Sequence, residues 1–463
     1  MTSRLPRGPH SLSRDQVAAN QRTRIGMAML ESIGEKGYVA TTVSEVVSRA
    51  GVSRKAFYQH FANKEECFLV TYDAIVEEGR RRVMYNLAEA RGGSDHIETA
   101  IRALFSSALE NPDALRMAIT EITAVGPAGI ERRERAITGY GELIREGLRA
   151  EIGADGGSPS GGVQDATLRA VVGGLNRVLV ACLNGRRGVK PLELVPDLAR
   201  WAATYHPMPK SLQTSIARSR PKRARMQTAS LNGRQFGGRA PGTLSPRFPG
   251  ERRRSPHGAS RGFVVHNQRE RILDAVTNLT AANGYGALTV EDIASEAAIS
   301  LQAFYEHFES KEDAFLVAYE LGHSRGLDIV ERAFANAPDW RTGVRDGLYN
   351  LTEYLASEPS FARLSLMGTS VATPRAVKLS ERGVSAYAQL LAPGLEEVPK
   401  SKRPPAIALD AIAGGLQEIF LHYAAHGRLQ ELPELAPEAT YIALAPFLGT
   451  QEAARVACAP MHD

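Results

Sequence analysis

Three cysteines in 463 residues, Cys67, Cys182 and Cys458, are too few and too scattered for a disulfide scaffold. One must stay unpaired, and no CxxC pair exists to hold zinc, which fits a reducing cytoplasm. Long apolar runs are also missing. None approaches the ~20 residues a membrane-spanning helix needs, so no membrane partner is expected. The N-terminal MTSRLPRGPHSLSRDQ lacks the apolar core of a secretory signal. Catalytic signatures are absent: no HExxH, no GxSxG elbow between a strand and a helix, no Walker loop, no GxGxxG after a strand, and scattered histidines. Neither an enzymatic activity nor a cofactor or metal is expected. Strand signals are nearly absent as well, so the fold class is all-α.

Acids are missing from one long stretch. Residues 206–265 hold 13 Lys/Arg against Glu251 alone, a local charge of +12. This stretch is rich in Pro, Gly, Ser and Arg, has no helical apolar period, and reads as a basic disordered linker. Since the whole chain carries +5, the remainder carries about 5 − 12 = −7.

What is present is a repeat. Asn20–Val70 aligns with Asn267–Val317 at a constant offset of 247, without gaps, and 24 of the 51 positions are identical. Such a match marks a duplication. Five segments follow: a helical head at 15–65, a helical domain at 66–205, the linker at 206–265, a second head at 266–312 and a second helical domain at 313–450.

Within the first head, Ile25, Ala28, Met29 and Ile33 recur at helical spacing until Gly37 stops the helix. Thr42 and Glu45 form a capping box for a short helix that buries Val43, Val46 and Val47. Gly51 breaks it, Ser53 caps a helix carrying Phe57 and Phe61, and Asn63 with Glu66 caps a longer one. This is a helix-turn-helix followed by a connecting helix. Behind it the pattern predicts helices over 95–110, 112–125, 127–152, 163–183 and 191–205, with a flexible loop at Gly153–Gly162. In the second half it predicts them over 339–357, 359–373, 374–391, 404–425 and 433–448.

A helix-turn-helix sets the start of its second helix against base edges in the DNA major groove. AGVSRKAFYQHF supplies the parts: Gly51 for a left-handed elbow, Ser53 as cap, Arg54 and Lys55 as long donors at the leading end, and Phe57 and Phe61 as inner anchors. Tyr58, off the inner face, can meet a phosphate. Lys64 adds its charge to the free N–H groups opening the next helix.

TTVSEVVSRAGVSRKAFYQHFANKEECF resembles the DNA-binding domain of the TetR family of bacterial transcriptional regulators, through its AGVS, FYxHF and NKEE pieces. The resemblance covers about 50 residues in each half. It implies an all-α protein with a three-helix DNA-binding head, and behind it a helical domain that dimerises and holds a small effector. Carried over by position, DNA contacts fall on Thr42, Ser53, Arg54, Lys55, Tyr58, His60 and Lys64. In the second copy they fall on Thr289, Ser300, Gln302, Tyr305, His307 and Lys311. VVGGLNRVLVACL and AIAGGLQEIFLHY sit where the family builds its dimer interface.

The copies differ in charge. Thr42–Glu66 holds four basic and three acidic residues, net +1, whereas Thr289–Asp313 holds Lys311 against seven acids, net −6. Phosphate neutralisation supplies much of DNA affinity, so the acidic head is expected to bind poorly. Leu301 and Gln302 replace Arg54 and Lys55, and Ala298 replaces Gly51 at the elbow. The first head is therefore the expected DNA reader, and the second a weak reader or a structural relic.

Several readings stay open here. His60 and His307 are packed histidines or phosphate contacts, and the linker's arginines are a tether or a non-specific phosphate grip. Phe105, Met117 and Tyr140, with Tyr349, Phe361, Met367 and Tyr387, are effector-pocket candidates or plain core. The chain is expected to be a repressor of double-stranded DNA targets, modulated by a small-molecule effector, and to act as an intramolecular pseudo-dimer or a homodimer. The alternative is a ligand-sensing or partner-sequestering protein without sequence-specific DNA binding.

Overall fold

The computed structural model describes residues 13–90, 96–154, 163–184, 190–205, 213–214, 216, 261–368 and 373–460. Most of the expected loop at Gly153–Gly162 and of the linker at 206–265 lies outside these residues. The described residues form helices and no strands. They group into two compact units, one of Met1–Gly157 with Val178–Ala199, the other of Ser158–Arg177 with Arg200–Asp463. Of the stretch read as the first helical domain at 66–205, the described residues 163–177 and 200–205 group with the second unit.

The chain opens with α1 (Arg14–Ala40), α2 (Val43–Ala50), α3 (Arg54–His60) and α4 (Lys64–Glu89). The next helices are α5 (His96–Glu110), α6 (Pro112–Ile119), α7 (Pro127–Ala154), α8 (Asp165–Leu183) and α9 (Val195–Ala203). Gly37 (φ 80°) breaks α1 where the sequence places its stop. Met29, Ile33, Val46, Phe57, Phe61 and Phe68 fill one core that also takes in Met117 and Ile122 from behind the head. Val43 and Val47 pack partly buried on that core, so α2 presents its predicted face. Arg116 donates to the Gly34 carbonyl (2.6 Å) and the Tyr38 N–H donates to Glu121 (2.8 Å). These two bonds tie the end of α1 to the domain behind it.

The second head repeats the plan with α10 (Arg261–Asn283), α11 (Val290–Glu296), α12 (Leu301–Tyr305) and α13 (Lys311–Asn336). Behind it lie α14 (Trp340–Ser357), α15 (Pro359–Arg363), α16 (Pro374–Gln389) and α17 (Pro393–Glu397). The chain then forms α18 (Ile407–Ala425), α19 (Leu432–Leu448) and α20 (Thr450–Cys458). α10 begins inside the stretch assigned to the linker. The helix expected over 359–373 becomes α15 and a π-helical turn at Leu364–Gly368. α20 extends past the expected end at 450. Gly449 (φ 75°) looks like a terminator, but a helix restarts beyond it and buries Ala453, Ala454 and Ala457, side chains too small to stand out in a hydropathy pattern.

α8 is apolar and long enough to cross a membrane by length and composition, closer to a span than the sequence reading allowed. Most of that window is buried within protein, which makes it a core helix.

The elbows differ as the sequences do. Gly51 takes the left-handed conformation (φ 61°, ψ 39°). Ala298 is the one described non-glycine residue at positive φ (48°). A left-handed Ala costs roughly 1–2 kcal/mol, partly offset by the lower entropy of its unfolded chain. Ala298→Gly should therefore stabilise the second unit by about 0.5–1 kcal/mol, and Gly51→Ala should destabilise the first by about the same amount. Shifts of the urea unfolding midpoints in those directions are the expected result.

Candidate nucleic-acid interface

Capping places α3, the second helix of the first helix-turn-helix. The Thr42 hydroxyl accepts the Glu45 N–H (3.4 Å), Ser53 accepts that of Ala56 (3.0 Å), and Asn63 accepts that of Glu66 (2.8 Å). The reciprocal halves of the two expected boxes are altered. The Glu45 carboxylate pairs with Lys36, and the Glu66 carboxylate accepts from Ala62, one residue before the cap. A complete box does occur at Ser13 and Gln16, opening α1.

Phe57 lies fully buried on the inner face of α3. Ser53, Arg54, Lys55 and Tyr58 occupy the outer face, with Tyr58 49% exposed. Among the described residues, Arg54 and Lys55 make no ion pair. Their charges face water beside free backbone N–H groups at the helix start, an arrangement suited to an anion. Thr42 is exposed at the start of α2. Arg49 instead pairs with Glu35 and Glu31.

His60 and Lys64 are placed differently. The His60 Nε2 meets Gln21 Oε1 (3.1 Å), tying α3 to α1. Lys64 donates to the carbonyls of Tyr38 (3.0 Å) and Thr41 (3.1 Å) and lies 4.1 Å from the Tyr38 ring centre. Burial holds its pKa below the ordinary lysine value. The second head repeats both arrangements. His307 meets Gln268 (3.4 Å), and Lys311 donates to Leu288 (2.7 Å) beside Tyr285. Burial and the nearby Arg269 push the His307 pKa down.

One brace escaped the sequence reading. Arg24 reaches the Ala50 carbonyl and that of Gly51 (3.0 Å), closing the elbow onto α1. Arg271 does the same to Ala298 (2.7 Å). The signal lay in the shared NQRxR run, whose arginine could not be aimed without the fold.

On α12 the outer face holds Leu301 (44% exposed), Gln302 and Tyr305 (59% exposed). Gln302 donates to Glu306 (3.4 Å). Ser300 caps Ala303, while the Thr289 hydroxyl accepts the Asp292 N–H and donates to the Asp292 carboxylate. The scaffold is the same, but the Gln302 side chain at the start of α12 meets a carboxylate.

The second unit contains an apolar cavity behind its head. It encloses about 120 Å³ of space open to the centre of a water molecule. Phe361 and Tyr387 line it, together with Tyr319, His323, Tyr354 and Phe420, and among the described residues no charged side chain does. The π-helical turn contributes Ser365 and Leu366. His323 stacks on Tyr319 and meets Tyr387 edge-on at 5.2 Å, and its Nε2 makes no hydrogen bond. Burial lowers the His323 pKa and pushes the Tyr319 pKa up to about 12, so both are neutral at pH 7. Tyr349 and Met367 do not line this cavity. In the first unit, Phe105 and Met117 are fully buried, and the half-buried Tyr140 packs with Val83, Ala100 and Leu143.

Comparison with known proteins matches residues 28–71 and 272–318 to the family model for bacterial regulatory proteins, tetR family. The uncharacterized HTH-type transcriptional regulator YerO of Bacillus subtilis is 45% identical over 77 residues, 16% of this chain and 27% of that protein. The HTH-type transcriptional regulator BetI of Agrobacterium fabrum is 23% identical over 125 residues, 27% of this chain and 60% of that protein. The chain thus spans less than two thirds of these relatives. Among solved structures, Bacillus subtilis FadR in complex with stearoyl-CoA is 17% identical, covers 39% of this chain and 97% of its own, and has a TM-score of 0.35.

These placements separate braces from free donors. Lys64→Met should cost the first unit about 1–3 kcal/mol, because the Thr41 carbonyl loses its lysine donor while the Tyr38 carbonyl keeps only the Thr41 N–H (3.2 Å). Lys55→Ala should change stability by less than about 0.5 kcal/mol. Chemical denaturation of the two variants beside the parent chain checks the contrast.

Proposed function

We propose that this chain, whose two heads belong to the TetR family, is a DNA-binding transcriptional repressor that reads its operator through the first head. The observation that carries this reading is α3 itself. One face is core, the helix start is capped, and Arg54, Lys55 and Tyr58 stand exposed on the other face. In this reading Thr42, Ser53, Arg54, Lys55 and Tyr58 meet DNA, while His60 and Lys64 position the helices that carry them. The second head, net −6 and with its one donor side chain at the helix start turned to Glu306, contributes little affinity. Ser300, Thr289, His307 and Lys311 keep its shape, and Tyr305 stands exposed as Tyr58 does.

The effector binds in the cavity of the second unit. A site of this size holds on the order of ten waters, and few polar groups are there to bond them. An apolar molecule displaces them readily. With no charged lining residue to balance an anion or cation, the effector is uncharged and carries at most a hydroxyl or carbonyl for His323 and the tyrosines. Such a ligand shifts DNA affinity only to the extent that it binds one conformation better than another. The protein performs no catalysis, is cytoplasmic, and pairs its own two halves as a pseudo-dimer rather than a homodimer. Close packing of part of α8 with α18 inside the second unit supports that pairing. Light scattering should accordingly give a mass near 50.1 kDa, that of one chain.

Fluorescence anisotropy with an operator duplex tests the DNA reading. Arg54→Ala with Lys55→Ala should weaken binding at least ~30-fold, as loss of two base or phosphate donors does. Leu301→Ala with Gln302→Ala should change it less than about twofold. Unchanged affinity in the first variant would sink the reading. Binding that survives there but vanishes with moderate salt would assign it to the basic linker instead.

A further inference from the structure

Inside the second unit, residues 165–177 of α8 pack against α18 with their backbones in close approach. A β-carbon added to Gly174 would come within 2.5 Å of the Ala411 carbonyl oxygen, and one added to Gly415 within 2.5 Å of the Ala170 carbonyl oxygen. One added to Gly173 would meet the Glu418 β-carbon at 2.3 Å, and one added to Gly414 would meet the Arg177 β-carbon at 2.4 Å. Earlier residues of one helix meet later residues of the other, so the two run in opposite directions.

These contacts come in matched pairs. At an offset of 241, Ala170 corresponds to Ala411, Gly173 to Gly414, Gly174 to Gly415 and Arg177 to Glu418. Each contact is the counterpart of another with the two helices exchanged, which is the rule of a two-fold interface between like surfaces. The glycines therefore cannot tell an unlike helix from a second copy of the same one. The charges can. α8 carries Arg169 and Arg177, and the equivalent positions of α18 carry Asp410 and Glu418. Arg169 lies 3.4 Å from Glu418, with both side chains largely shielded from water. Arg177 donates to the Glu381 carbonyl (2.9 Å) and to the Ser385 hydroxyl (3.1 Å).

In the same register, two copies of α8 would set Arg169 against Arg177 of the other copy. Two copies of α18 would set Asp410 against Glu418. Either pairing buries like charges, and low local dielectric makes that costly. We infer that the glycine-lined faces of α8 and α18 form a pairing surface whose charge was split after duplication, so that each accepts the other and rejects a second copy of itself. This rests on the intramolecular pairing proposed above. It adds that Arg169 and Glu418 decide the partner while the glycines decide only how closely it approaches. The duplicated chain then excludes a four-headed assembly built through these surfaces.

The test is a charge cycle in the full-length chain, read by light-scattering mass and thermal melting. Arg169→Glu and Glu418→Arg should each lower the melting temperature by roughly 6–12 °C. The exchanged pair, carrying both substitutions, should regain at least half of the summed loss and keep a one-chain mass. Losses that simply add, with a one-chain mass for the parent, would overturn the charge assignment and leave intramolecular pairing standing. A two-chain mass for the parent would overturn the pairing itself. Should charge reversal prevent folding, Arg169→Met and Glu418→Gln supply a milder cycle. There the double variant should lose clearly less than the sum of the singles, and additive losses would again overturn the assignment.

Discussion

The sharp elbow between α2 and α3 requires one residue in the left-handed region, and the placing of α3 depends on it. Gly51 meets that requirement without strain, and Arg24 fastens the elbow by bonding two of its carbonyls. With the elbow held, Phe57 enters the core and the opposite face of α3 turns to solvent. Arg54, Lys55 and Tyr58 on that face then stand exposed, as the proposed DNA reading requires. The second head keeps the elbow through Ala298 and the brace through Arg271, at the expense of backbone strain. Its persistence shows that the shape is held by the braces as well as by the glycine.

Duplication has left the two copies alike inside and unlike outside. Lysine to carbonyl, histidine to glutamine and arginine to elbow recur in both heads. What changed is the charge presented to solvent on α3 and α12, and the charge carried by α8 and α18. A homodimer cannot make such changes on one side only, because each substitution appears twice. Two copies in one chain can, and the second unit keeps an apolar cavity while its head carries a net charge of −6.

Much of this was legible in the sequence because it is local. Thr42, Ser53 and Asn63 announce their caps by residue type and spacing, and Gly51 announces the elbow. The repeat disclosed the two-part plan, and the acid count disclosed the divergence of the heads. The rest depends on groups far apart in the chain. Nothing in NKEE tells whether Lys64 points at a phosphate or at carbonyls 23 and 26 residues earlier. Lone histidines do not declare that His60 will find Gln21, or that His323 will line a cavity. The π-helical turn at Leu364–Gly368 follows no periodic signal, because it departs from the period by which helices are recognised.

The central claim is that one chain carries one DNA-reading head, with its second head spared for shape. Selection of bound duplexes from a random pool by the full-length protein tests it most directly. The account predicts a site without two-fold symmetry, built on a single conserved half-site at one chain per duplex. Enrichment of a palindrome bound by two chains would contradict it, since identical heads would then be reading DNA as a pair.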